Sequence, residues 1–263
     1  MGTLLLRNGG VILISKMIFL CAAGFLAAMV DSIAGGGGLI SLPAILLAGI
    51  PPHMSLGTNK FASTCASFTS SLKYARSGKV NFNILKYLIP FTLLGAALGV
   101  KAVLQVNAKY LNAIVLILIL FVGIYSLVSK TIGTTDNFKG ITSKNIFLGI
   151  LLAGSLGFYD GFFGPGTGAF LIFGIIGIYG YDFIQSGGNA KVLNFVSNIT
   201  SLVLFAFNKQ INYSYGIPIA IAMIFGAQVG TRLALKKGVK LMKPIFVTMS
   251  LGVACKLLYN MMK

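Results

Sequence analysis

The sequence predicts an all-α polytopic membrane protein made of two inverted repeats of about five hydrophobic segments each, 8–10 spans in all. Three observations predict this. Apolar residues make up 56% of the 263-residue chain and charged residues only 10%, whereas soluble domains carry roughly a quarter charged residues. With a mean hydropathy of +0.90, the chain has too little polar surface to cover a water-exposed globule. The charge is lopsided, with 21 Lys and Arg against four acids, all aspartate, for a net +17. Those basic residues punctuate long apolar runs, as in membrane-protein loops, and do not line a polar face. Finally, motifs of the first half recur in the second. Soluble enzymes, nucleic-acid modules and disordered tails are excluded, so no nucleic-acid partner is expected despite a pI near 10.0. The expected location is the cell (plasma or inner) membrane, with lipid around the chain.

Apolar runs of spanning length lie near 11–31, 36–50, 55–72, 84–105 and 110–129, then near 146–160, 166–180, 187–207, 215–235 and 243–262. The first repeat therefore covers 1–129 and the second 146–263, joined by a polar linker at 130–145. The run after Arg7 could be a cleaved signal peptide, but its counterpart inside the chain places it in the fold. The second and seventh segments are short and open on glycines, so each either crosses or only dips in. If both dipped in alone, four crossings per half would remain and the inversion would fail.

The repeat is read from matches at a nearly constant offset of 129 to 131 residues. Ala23-Gly24 recurs as Ala153-Gly154, Asp31 as Asp160, and Lys60 as Lys191. Gly95-Ala96, Gly99 and Lys101 recur as Gly226-Ala227, Gly230 and Arg232. Four residues after each aspartate a glycine cluster begins, Gly35 to Gly38 and Gly164 to Gly168. An odd number of crossings per repeat turns the second copy upside down, and loop charge tests this. Loop 73–83 carries Lys73, Arg76 and Lys79, whereas its counterpart at 208–214 carries only Lys209. The next loop reverses the bias, with Lys101 and Lys109 facing Arg232, Lys236, Lys237, Lys240 and Lys243. Loops 73–83, 130–145 and 232–243 are thus expected in the cytoplasm, with both termini outside. Tyr74, Tyr87, Tyr110, Tyr179, Tyr181, Tyr213 and Tyr259 fall near segment ends, where the membrane interface favours them.

Few residues could carry chemistry. Cys21, Cys65 and Cys255 are scattered in apolar sequence, and His53 sits in a Pro-Pro-His turn, so no metal site, cofactor or enzymatic activity is expected. Asp31, Asp160, Lys60 and Lys191 are ionisable groups inside spans, where charge is costly and faces a cavity or a partner. The aspartates read equally as helix caps, as partners of the lysines, or as a proton or cation relay. Glycines that interrupt paired segments of two inverted halves point to a midplane transport site. Helices starting after Gly38 and Gly168 would aim their positive ends into that site. Around each lysine the helix is polar, with Asn59, Ser63, Thr64 and Ser67 in the first half and Asn189, Asn194, Ser197 and Asn198 in the second. Lys191, Asn194 and Asn198 share one helix face, and Lys60, Ser63 (or Thr64) and Ser67 repeat the arrangement. That stripe is either interhelical hydrogen-bond glue or a substrate-facing surface. The glycines serve either a site or close helix packing. Two helix ends and two ammonium groups would suit a small anion.

With these motifs in view, the chain resembles the TauE/SafE family of sulfite-exporter-like membrane transporters. The resemblance rests on GFLAAMVDSIAGGGG at 24–38, PPHMSLGTNK at 51–60, GFYDGFFGPGTGAF at 157–170 and GNAKVLNFVSN at 188–198. It implies a secondary transporter of sulfite, an organosulfonate or a related sulfur oxyanion. The family's polar motifs map onto Gly35, Gly36, Gly37, Gly38, Asn59, Lys60, Gly164, Gly166, Thr167, Gly168, Asn189, Lys191 and Asn194. These, with Ser63 and Asn198 of the polar helix faces, are the expected substrate-binding positions, and Asp31 and Asp160 are the expected ion-coupling groups. An uncoupled anion channel is the alternative, and a homo-oligomer is compatible with either.

Overall fold

The computed structural model describes residues 2–111, 114, 117, 118, 136–138 and 140–237, with side chains for those from 14 to 236. Most of the fifth segment, part of the linker, all of the tenth segment, and with them Lys240, Lys243, Cys255 and Tyr259, lie outside the described residues. Within these limits the secondary structure is helical: α1 (Gly2–Ala34), α2 (Gly38–Leu47), α3 (Pro52–Arg76), α4 (Phe82–Gln105), α5 (Ser143–Phe162), α6 (Thr167–Tyr179), α7 (Phe183–Phe207) and α8 (Tyr213–Lys237).

Local chemistry sets the ends. Asn81, Thr142 and Asp182 each accept a hydrogen bond from a first-turn backbone N–H, which starts α4, α5 and α7. Pro51 and Pro52 open α3 where no donor is needed. Five described helices are long and apolar enough to cross a membrane, namely Ile14–Ala34, Phe82–Gln105, Ser143–Phe162, Phe183–Phe207 and Tyr213–Lys236. α3 is as long as α7, at 25 residues, but its Ser, Thr, Asn and Lys stripe makes it less apolar. The 10 residues of α2 and 13 of α6 rise only about 15 and 20 Å, short of the roughly 30 Å hydrocarbon core.

Polarity is inside out relative to a soluble protein. Leu98, Phe147, Phe207 and Phe225 lie exposed on the outer surface, while Lys60, Lys191, Asp160, Asn189 and Asn198 are buried. The tyrosines divide. Tyr87, Tyr110 and Tyr213 are exposed as an interfacial role requires, but Tyr74, Tyr179 and Tyr181 are core residues. Tyr74 donates its hydroxyl proton to the Ser32 carbonyl at 3.0 Å, which lets an aromatic ring sit in the interior.

Contacts fix the helix directions. Gly95 and Gly99 of α4 lie against the carbonyls of Gly154 and Phe158 of α5, so these two run parallel. Gly226 and Gly230 of α8 lie in the same way on Phe25 and Met29 of α1. α3 and α7 run antiparallel at the centre: Gly57 meets Gln210, Ser67 meets Asn198 at 3.5 Å, and Ser71 bonds the Lys191 carbonyl at 2.8 Å. α8 runs with α3, since Asn212 N–H donates to Thr58 and Lys73 to the Gln228 carbonyl.

α2 folds back on α1, with Gly37 against Ala27 and with Ile45 and Ile50 in one core cluster with Leu20 and Ala23, and α6 folds back on α5, bringing Gly174 to Leu152. The tips of these hairpins touch, with the Ala169 N–H donating to the Gly35 carbonyl at 3.1 Å. The described part of the linker docks on the α6–α7 turn. There Asn137 N–H donates to the Gly180 carbonyl at 2.8 Å, and Phe138 stacks on Tyr181 with centroids 4.5 Å apart.

Gly35 has φ +79°, and a Cβ there would collide with the Gly168 backbone; Gly49 has φ +82° but open space around it. Gly35→Ala should therefore cost roughly 2–4 kcal/mol from overpacking plus left-handed strain. Gly49→Ala should cost only about 1–2 kcal/mol. Thermal unfolding of the two variants in detergent measures the difference.

Candidate functional site

Each hairpin carries an aspartate within the last turn before its break, Asp31 on α1 and Asp160 on α5. Each long central helix carries a lysine. The four groups pair crosswise: Lys60 Nζ lies 3.0 Å from Asp160 Oδ1, and Lys191 Nζ lies 2.5 Å from Asp31 Oδ2. Each pair therefore joins a long helix of one half to the hairpin of the other. Lys60 also donates to Asn198 Oδ1 at 3.0 Å, and the second oxygen of Asp160 accepts the Ser197 hydroxyl. The second oxygen of Asp31 accepts the Gly37 N–H at 3.2 Å, so this carboxylate caps the chain beyond its helix and pairs with a lysine at once.

Lys60, Asp160 and Lys191 are 3%, 2% and 1% exposed, and Asp31 is 21% exposed. Charges this deep persist only when paired and hydrogen-bonded, because desolvation costs several kcal/mol per ion. Two ammonium groups against two carboxylates leave the site electrically neutral. Pairing with the lysines, one of the readings the sequence leaves open for the aspartates, is thus present, and the two ammonium groups are compensated within the protein.

Between the hairpin tips and the long helices lies a cavity of about 30 Å³, room for one or two waters. Asp31, Gly35, Gly37, Gly38, Asn59, Lys60, Ser63, Asp160, Gly164, Gly166, Gly168, Asn194 and Asn198 line it, all of them positions singled out in the sequence. Gly36, Thr167, Asn189 and Lys191 do not line it. Thr167 donates to the Gly164 carbonyl at 2.7 Å and ties the α5–α6 turn. Asn189 accepts from the Asn81 N–H at 2.8 Å and holds the α3–α4 turn. Lys191 stands behind Asp31. Ala66 and Met223 complete the wall, and no polar or glycine signal marked them. Tyr159, conspicuous beside Asp160 in sequence, donates to the Pro165 carbonyl at 2.8 Å and steadies the second tip.

The glycines have a physical reason at this site. Gly164, at φ +101°, lies where a Cβ would press on Asp160 Oδ1 and Lys60 Nζ. Gly166 caps α6 in the left-handed conformation at φ +85°. The same glycines thus line the cavity and pack closely against their neighbours. No group of three or more His, Cys, Asp or Glu residues able to hold a metal occurs among the described residues.

Removing one partner of a buried pair strands the other. Lys60→Met should destabilise the protein by about 3–5 kcal/mol, and adding Asp160→Leu should recover most of that loss. A double-mutant cycle read by unfolding in detergent checks the coupling.

The family model described as "Sulfite exporter TauE/SafE" matches residues 20–257. A "Probable membrane transporter protein" of Haemophilus influenzae is 35% identical over 247 residues, covering 94% of this chain and 96% of the relative. "Probable membrane transporter protein ORF9" of a Sinorhizobium species is 38% identical over 245 residues, 92% of each chain. "Probable membrane transporter protein YfcA" of Escherichia coli K12 is 34% identical over 235 residues, 89% of this chain and 87% of that one. No solved structure matches significantly. Together with the apolar helices and the lipid-compatible exterior, these matches show a multi-pass membrane protein that belongs to the sulfite exporter TauE/SafE family.

Proposed function

We propose that this protein is a secondary transporter of a small anion, a sulfur oxyanion or organosulfonate, working by alternating access around the central cavity. The observation that carries the reading is the crossed pairing of Lys60 with Asp160 and Asp31 with Lys191 at the glycine-broken hairpin tips. Each pair ties one tip to the opposite half, so each is a latch that a competing anion can loosen. An ammonium group has three donors. Lys60 gives two, to Asp160 and Asn198, and the third is available to a substrate oxygen. Asn59, Ser63, Asn194 and Asn198 offer further polar contacts, and glycine backbones let the ligand approach the chain closely. A cavity of about 30 Å³ is too small for a sulfonate, so the walls must separate for loading, as a gated carrier requires.

The reading includes an inverted relation between residues 1–129 and 146–263. It is supported by helix direction, because α1 runs opposite to its counterpart α5, α3 to α7 and α4 to α8. Parity is preserved as well. Each short helix returns alongside the helix before it, so in this reading a hairpin enters and leaves on one side of the membrane and the odd parity of each half is kept. Asp31 and Asp160 supply the coupling groups. The positive loops at 73–83, 130–145 and 232–243 face the cytoplasm.

Two measurements test this. In proteoliposomes, Lys60→Ala combined with Lys191→Ala should lower sulfite or organosulfonate flux by at least tenfold, while unchanged flux removes the charge role. Flux insensitive to pH and sodium gradients and far above carrier turnover would instead indicate an anion channel. Single cysteines at Ser77→Cys and Lys237→Cys should react from one face of the membrane and Asn208→Cys from the other. Labelling of Ser77→Cys and Lys237→Cys from opposite faces would rule out the topology.

A further inference from the structure

The site is neutral before substrate arrives, with two lysines offset by two aspartates. A monoanion bound there would leave one negative charge uncompensated in a low-dielectric interior, which is strongly unfavourable. The two aspartates are not equivalent places for a compensating charge. Asp160 is sealed, with one oxygen on Lys60 and the other on Ser197. Asp31 lines the cavity and is partly exposed, while its partner Lys191 holds it from behind and does not line the cavity. The other Asp31 oxygen accepts from the Gly37 N–H at 3.2 Å, its one hydrogen bond among the described residues. Asn59, on the cavity wall and 5% exposed, has a side-chain oxygen with no hydrogen-bond partner. A buried unpaired acceptor on a residue beside a cavity with an accessible carboxylate is suited to a donor or a cation.

We infer that a monoanion binds together with one positive charge, taken up at Asp31 and shared with the Asn59 side-chain oxygen, so that transport is electroneutral. The inference rests on the transport reading above. The charge is either a proton passing from solvent to the Asp31 carboxylate, or a sodium ion exchanging hydration waters for these oxygens. The charged and titratable groups that bear on Asp31 are Lys191 of α7, Lys60 and Tyr74 of α3, and Asp160 of α5. The hairpin turns leading into α2 and α6 contribute only glycines to the cavity beyond these, and α8 contributes Met223.

Calorimetric titration of the purified protein with methanesulfonate and 2-hydroxyethanesulfonate, which stay monoanionic at every pH used, tests this. The runs use two buffers of different ionisation enthalpy, with and without sodium. The expected result is uptake of about one proton per anion, or a roughly tenfold affinity gain per tenfold rise in sodium, as one-to-one linkage requires. Asp31→Asn should abolish that dependence and Asn59→Ala should weaken it. Where Asp31→Asn alone fails to fold, Asp31→Asn with Lys191→Met leaves no stranded ammonium and replaces it. Binding that takes up neither proton nor sodium, or a dependence that survives loss of Asp31, overturns the inference and leaves the transport reading standing. Absence of binding and flux for both sulfonates overturns organosulfonate transport itself, and the inference with it.

Discussion

Four charges lie at the centre of a protein whose outer surface is apolar, and the arrangement around them follows from what burying them requires. An isolated ammonium or carboxylate at that depth is untenable, so each must meet its opposite. The lysines sit on α3 and α7, which cross antiparallel, and the aspartates sit at the ends of α1 and α5. Pairing is therefore possible only if each hairpin tip reaches across to the long helix of the other half. The two halves are held in register by electrostatics at the point where the chain also breaks its helices.

Glycine makes that meeting sterically possible. The first tip contacts the second at Gly35 and Gly168, where any side chain would collide with backbone. Along the flanks, Gly95 and Gly99 admit α5 against α4, and Gly226 and Gly230 admit α1 against α8. Because the driving force for helix association in lipid is contact and not hydrophobic exclusion, close approach at these glycines supplies much of the packing. The hairpins are thereby placed within reach of the lysines. Packing and site are one construction.

Neutrality then defines what the site can do. Two balanced pairs do not attract an anion by net charge, as unpaired lysines would. Instead they offer spare donor capacity on Lys60 and a difference between a sealed pair and an accessible one. Nothing in the symmetric sequence distinguishes Asp31 from Asp160. Their difference arises because the Lys60–Asp160 pair is closed over by Asn198 and Ser197, while Asp31 opens on the cavity.

The membrane class, the pairing of motifs between halves and most of the cavity wall were legible in the sequence. Each depends on composition or on a residue type that is costly where it sits, such as Lys60 in an apolar run or Gly164 before a helix. Three things were not legible. Tyr74 and Tyr179 mark segment ends in the sequence yet are buried, because interfacial and core tyrosines occupy similar positions along a helix and only the tertiary surroundings tell them apart. Lys191 and Asn189 match the polar stripe yet stand outside the cavity, because a helical stripe is wider than the face a cavity uses. And each lysine pairs not with the glycine-break aspartate of its own half but with the one from the other half. The sequence determined that four charges had to be accommodated. Which pairs would form, and which of them faces open space, was decided by the crossing of α3 and α7, a contact between segments more than a hundred residues apart that no local pattern encodes.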